Sequence, residues 1–302
     1  FGIHDTLCEK TADGIWQRAN AVIAKGGFKP RELIERSNVA CVCTTDDAAD
    51  SLEYHRLIAE DTSFRCKIIP AFRPDKALAI DQKGFLPWLA ALEAASGRSV
   101  ESFAQLKEAL AGRIEFFVRM GCRASDHAFS YIPFEPAGED ELEEIFRYVT
   151  GGGQPDKLMT DRYKTALMRF FAAQYARRGW GMELHFGVIR NNNTAMFDKI
   201  GPDTGFDSIA DFETAANLAK LLDSMESEGN LPKTVLFTLN PKDNYMLGAM
   251  AGNFQSSGAA GKIQFGTAWW FNDNIDGMRG QMKALANTGV LGKFIGMVTD
   301  SR

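Results

Sequence analysis

Seven short apolar runs recur along this chain, separated by helix-forming sequence, and each ends in charged or hydrogen-bonding residues. They fall at 39–44, 67–72, 121–127, the first half of 181–193, 233–239, 262–266 and 294–299. Helices alternating with buried strands predict parallel pairing through right-handed crossovers. A closed ring of such strands has eight members and gathers its functional groups at their C-terminal ends. The polar residues of this chain fall at those ends. An open doubly wound sheet is the competing arrangement, but it concentrates polar groups at one switch point. The pattern therefore predicts an α/β fold, a (β/α)8-type barrel of which seven strands are counted, rather than the open sheet.

The intervening helices are predicted at 11–25, 30–38, 48–59, 139–149, 158–178, 208–226, 243–251 and 276–290, from apolar spacing, Pro30 at a first turn and Gly179 as a stop. Residues 78–120 are longer than one crossover needs and read as a helical insertion of two or three helices, divided at Pro87 and Gly97. Pro70 inside the second run predicts a bulge or a frayed end. Residues 1–302 read as a single incomplete barrel domain.

The composition excludes several classes. With 302 residues, 45% apolar and 24% charged, the chain is an ordinary globular one. A formal net charge of −5 lacks the clustered basic surface that nucleic-acid binding requires. No apolar run is long enough for a membrane span. The opening FGIHDTL has neither a basic n-region nor an apolar h-region. Five cysteines with no CxxC read as small buried hydrophobes in a reducing cytosol. GxGxxG is absent, and Gly252, Gly258 and Gly261 precede a strand, so no nucleotide cofactor is expected.

The stretch 181–193, GMELHFGVIRNNN, carries the most informative strand end. His185 and Asp300 form the candidate metal pair, because a divalent ion in a barrel mouth takes imidazole and carboxylate ligands from several strand ends. A strand-end histidine also serves as an ordinary hydrogen-bonding residue, and four histidines without HxH or HExxH cannot complete a His-rich site. Arg73, Arg123, Arg190 and Arg302 each read as falling at or just past a strand end, where guanidinium groups grip carboxylates bidentately. Pairing with Asp75, Asp126 or Asp300 is the structural alternative, expected for at least two of them. Asp126, His127 and Asn191, Asn192 and Asn193 suit a polyhydroxylated ligand, although asparagine runs also make turns. Trp269 and Trp270 can stack on a sugar face or pack in the core.

Read together, VCTTDD (42–47), FRPDKA (72–77), CRASDH (122–127), LHFGVIRNNN (184–193), GPDTGFDSI (201–209), LPKTVLFTLNPKDN (231–244), the Trp269-Trp270 pair and GMVTDSR (296–302) resemble the uronate isomerase (glucuronate isomerase) family of the amidohydrolase superfamily, in family order and through almost the whole chain. The resemblance implies an amidohydrolase-type barrel that interconverts D-glucuronate with D-fructuronate, and D-galacturonate with D-tagaturonate, by moving a proton between C2 and C1 through an enediol. It also implies one divalent metal, usually zinc. It assigns Asp300 as metal ligand and proton carrier and Arg302 to the reaction centre. Arg123 is then the leading substrate contact, with His127, Arg190, Asn192, Trp269 and Trp270 around the sugar and His185 beside the metal.

The family's first strand carries an HxH metal pair that has no match here, so the chain reads as an internal portion of a longer enzyme. Two unpaired sheet edges, near 41 and near 296, then predict poor solubility or association with further copies. Negligible isomerase activity and weak zinc affinity are expected of the piece alone. A metal-dependent hydrolase is a competing function, disfavoured by the scarcity of histidine. A non-catalytic sugar-acid binding protein is another.

Overall fold

The computed structural model describes residues 1–296. Asp300, Arg302 and the second half of the seventh apolar run lie outside the described residues. The chain divides into two compact units: residues 1–44 with 52–69, and residues 45–51 with 70 onward.

Among the described residues eight strands are formed: β1 (Cys41–Asp47), β2 (Lys67–Arg73), β3 (Ala124–Ala128), β4 (Gly181–Phe186), β5 (Val188–Ile189), β6 (Ser208–Ile209), β7 (Lys233–Thr238) and β8 (Ile263–Phe265). Six make one sheet in the order β1-β2-β3-β4-β7-β8, and the pairs from β2 to β8 are parallel. Six of the seven predicted runs are therefore sheet strands. Among the described residues the sheet is not closed: β1 and β8 are its two ends. Short β5 and β6 form a separate antiparallel pair, which the period-2 pattern did not signal.

The first unit holds helices Ala12–Ala24, Pro30–Arg36 and Glu53–Glu60. Pro30 occupies the first turn of its helix as expected, and Glu32 accepts from the Lys29 amide at 2.7 Å. Neither Ala12–Ala24 nor Pro30–Arg36 contains a buried residue, and Trp16 is 71% exposed. The interior of this unit is small. Leu52 and Cys66 are buried, and His55 Nε2 lies 2.7 Å from Thr44 Oγ1.

The second unit carries the main core. Helices Phe85–Ser96, Phe103–Arg119, Glu139–Thr150 and Lys157–Arg178 supply most of it. The Asp156 carboxylate caps Lys157–Arg178 by accepting from the Met159 amide, and Gly179, at φ +65°, ends it in a left-handed turn. On the helix-facing side of the sheet Phe72 meets Phe117 edge-on at 5.0 Å, and Tyr175 stacks on Trp180 at 5.7 Å. Pro87 lies within the first turn of Phe85–Ser96 instead of dividing two helices, because an early-turn proline gives up only an amide that has no helical partner. Gly97 does end that helix, at φ +66°.

The 208–226 helix is shorter than predicted. Ser208–Ile209 pairs as β6, and the helix begins only at Ala215. Thr194–Ile200 is helical, a segment to which no element was assigned from sequence; the Asn193 side chain caps it by accepting from Met196 N. Pro70 sits inside β2, and the register pair linking β2 to β3 is Phe72↔Ser125, beyond the residue that lacks an N–H. The buried Arg113 donates to the carbonyls of Ala48, Ala95 and Asp50, which fixes the segment that follows β1.

Candidate functional site

Strand alternation decides which side chains can meet. In β4, Met182, Leu184 and Phe186 are buried against the helices, so Glu183 and His185 point to the other face. Parallel registry carries that division across the sheet. Asp126 pairs with Glu183 and Glu183 with Val235, whereas His127 pairs with Leu184 and Leu184 with Leu236. Asp126 therefore shares a face with Glu183 and His185, and His127 does not.

The three residues converge: ligand atoms of Asp126, Glu183 and His185 all lie within 4.8 Å of one another. His185 Nδ1 is 3.0 Å from Asp126 Oδ1. The imidazole lies flat on Phe237, centroids 4.2 Å apart, with the Trp269 ring edge-on at 4.9 Å. Arg73, at the end of β2, brings Nη1 to 3.5 Å from Asp126 Oδ2 and donates from Nε to Asp75 at 2.9 Å. The Asp75 carboxylate also accepts from the Ala128 amide at 3.2 Å. Beside this cluster, Thr45, Asp47, Arg73, Asp75 and Lys76 line a cavity of about 160 Å³.

Burial sets the electrostatics. It pushes the Asp75 carboxyl up to about 6, with Arg73 opposing and Asp126 reinforcing the rise. The Glu183 carboxyl is raised by burial as well, with His185 opposing and Asp126 adding to it. Burial also acts upward on Asp126, but the hydrogen bond and charge of His185, together with Arg73, bring it below the ordinary carboxylate value. Two carboxylates and one imidazole in mutual reach fit a divalent cation. A cation there would also offset the buried negative charge of Glu183.

The other predicted contacts divide. Trp269 belongs to the site wall. Its indole Nε1 is buried without a hydrogen-bond partner among the described residues. Trp270 packs beside it at 5.8 Å, and the Arg190 guanidinium lies 5.0 Å over the Trp270 ring. Arg190 is also ion-paired with Asp203 at 3.0 Å and Asp207 at 3.4 Å. Asn192 donates to the Ile189 carbonyl and to Ser208 Oγ, which is the turn-making role of asparagine.

His127 and Arg123 are elsewhere. His127 is fully buried on the helix-facing side, stacked with Phe129 and against Tyr175. Burial drives its imidazole down to about 3, so it is a neutral core residue and not a sugar contact. Arg123 precedes β3, at the end opposite Ala128, and donates to the Cys122 carbonyl. The short run 121–127 had placed it near a strand's polar end; the strand starts one residue after it. Asp300, the proposed second metal ligand, lies with Arg302 outside the described residues. The sequence reading overlooked Glu183. Its signal was present as E-x-H within an otherwise apolar strand, two positions apart and hence on one face.

The chain matches the family model described as glucuronate isomerase over residues 1–302. It is 52% identical to the uronate isomerase of Caldanaerobacter subterraneus subsp. tengcongensis, covering 100% of this chain and 65% of that protein. Against the uronate isomerase of Clostridium acetobutylicum it is 49% identical, covering 100% and 64%. Among solved structures, a uronate isomerase from Thermotoga maritima superposes with a TM-score of 0.91 at 29% identity, over 99% of this chain and 64% of that one. A glucuronate isomerase from Caulobacter crescentus gives 0.89 at 25%, over 100% and 61%. The chain thus spans just under two thirds of the relatives it matches.

Proposed function

The chain belongs to the glucuronate isomerase family, and we propose that its site performs the aldose–ketose interconversion of hexuronates, D-glucuronate to D-fructuronate first. The observation that carries this reading is the convergence of Asp126, Glu183 and His185 beside Arg73.

A hexuronate brings one carboxylate and several hydroxyls, and isomerisation places negative charge on the C1 and C2 oxygens. Arg73 supplies a cation at the edge of the cluster, able to hold an anionic oxygen through directed N–H donors. His185 Nδ1 lies 3.0 Å from Asp126 Oδ1. Phe237 and Trp269 fix the plane of the imidazole and keep water from two of its sides. Asp126, Glu183 and His185 would hold the divalent ion, together with Asp300 as the resemblance implies. When bound, the ion supplies Lewis-acid polarisation of the substrate oxygens. A proton leaves C2 and returns to C1 while the carbonyl passes from C1 to C2. As the resemblance implies, Asp300 is the proton carrier in this scheme and Arg302 belongs to the reaction centre.

The same reading extends to D-galacturonate as a second substrate and to zinc as the ion. It also includes one incomplete barrel domain over 1–302, a homo-oligomeric assembly and a cytoplasmic setting. Cys41, an exposed thiol outside any disulfide, supports a reducing compartment.

The test is ketose formation from D-glucuronate by protein spanning the relatives' full length, assayed beside amide and lactone substrates. Turnover of the uronate alone supports isomerisation. Hydrolysis without ketose would establish the hydrolase instead, and binding without turnover would establish a sugar-acid binding protein.

A further inference from the structure

We infer that Asp75 is a positioning residue, which acts on the site by holding the Arg73 guanidinium towards Asp126. This inference rests on the isomerase reading for its kinetic consequence but not for its geometry.

The Arg73-Pro74-Asp75 segment ends β2 and turns away from the sheet at Pro74, which starts the short helix Asp75–Leu78. The Asp75 side chain reaches back across that turn to two donors. One is Arg73 Nε, at 2.9 Å. The other is the Ala128 amide, 3.2 Å from each carboxylate oxygen.

The Ala128 bond has a topological cause. Phe129 N donates to His185 O on the β4 side, so by alternation Ala128 N points to the β2 side. There β2 has already ended, its register pair with β3 being Phe72↔Ser125. Asp75 supplies the acceptor that the strand no longer provides.

The Arg73 bond adds direction to this. An Nε contact stops rotation about the last side-chain bond of the arginine, and the remaining fork then faces Asp126, with Nη1 at 3.5 Å. Asp126 in turn touches His185 at 3.0 Å. Asp75, Arg73, Asp126 and His185 thus form a chain of alternating charge types linking the ends of β2, β3 and β4. Without Asp75, the guanidinium keeps its charge but loses its aim.

The two roles of Asp75 separate by substitution in the full-length protein. In Asp75→Asn, the amide oxygen still accepts from Ala128, but the amide nitrogen meets Arg73 Nε donor to donor. Asp75→Ala removes both acceptors. For D75N the expected melting temperature stays within about 2 °C of the parent, since the backbone amide remains satisfied. The Arg73 Nε–H resonance, identified by its loss in R73K, should move and exchange with water about tenfold faster. The KM for D-glucuronate should rise about tenfold with a smaller fall in kcat, the signature of lost ground-state binding. D75A should show the same kinetic change with a lower melting temperature.

An Arg73 resonance that does not move in D75N overturns the inference. So do kinetic constants equal to the parent's, or a KM change that tracks only the loss of stability in D75A. If the resonance moves and the unsubstituted protein shows no uronate turnover, the isomerase reading fails while the Asp75–Arg73 coupling stands.

Discussion

Asp126 and His127 are neighbours in the chain and face opposite sides of the sheet. Asp126 joins Glu183 and His185 in one cluster, and His127 lies among Phe129, Phe171 and Tyr175. The imidazole falls from an ordinary 6.5 to about 3, so the folded protein binds its proton more weakly than the unfolded chain. The stability that comes from burying it neutral is complete above about pH 6.5 and is lost as pH falls towards 3. His127→Leu should flatten that part of the stability curve and lower the acid-unfolding midpoint by about half a pH unit, read by circular dichroism. An unchanged pH profile would refute the burial argument. The sequence offered Asp126 and His127 together as polar tips, because composition alone does not reveal the phase of a five-residue strand. Period-2 counting from the apolar Met182, Leu184 and Phe186 would have selected Glu183 and His185, but the frame for Asp126 comes only from cross-strand registry.

At the scale of elements, the site depends on how closely β7 and β8 approach. A Cβ on Gly266, just past β8, would stand 2.4 Å from the Phe237 ring. Phe237 is the surface on which His185 lies. Gly266→Ala should therefore cost about 1–3 kcal/mol by overpacking and displace the imidazole. Denaturant unfolding measures the first effect, and the His185 ring proton shifts report the second. A variant that is unchanged in both would show that the ring has room to move. Strand existence was legible here because apolar runs bounded by turn residues are a strong signal, and six of them became sheet strands. The β5–β6 pair was not legible: two residues are too few to show a period. Its position is set by contacts such as Asn192 to Ser208 and Arg190 to Asp207. Arg123 was misplaced for a related reason, since a boundary error of one residue carries a side chain past the start of a strand.

At the scale of the molecule, the described sheet ends at β1 and β8 without closing. Parallel edges present unpaired amides and carbonyls that recruit further chain. The 302-residue chain by itself should therefore associate, and light scattering should show species above the 33.3 kDa monomer. A monodisperse monomer would contradict this. The predicted second edge, near 296, differs from the described one at β8 because the end of the seventh run lies beyond the described residues. Three side chains from two adjacent strands, Asp126, Glu183 and His185, converge within reach of one cation. Isothermal titration with zinc tests this directly, comparing the chain with its Glu183→Gln, His185→Gln double variant. The account predicts one ion per chain, with affinity lowered at least about a hundredfold in the double variant. Equal zinc binding by the two proteins would contradict it.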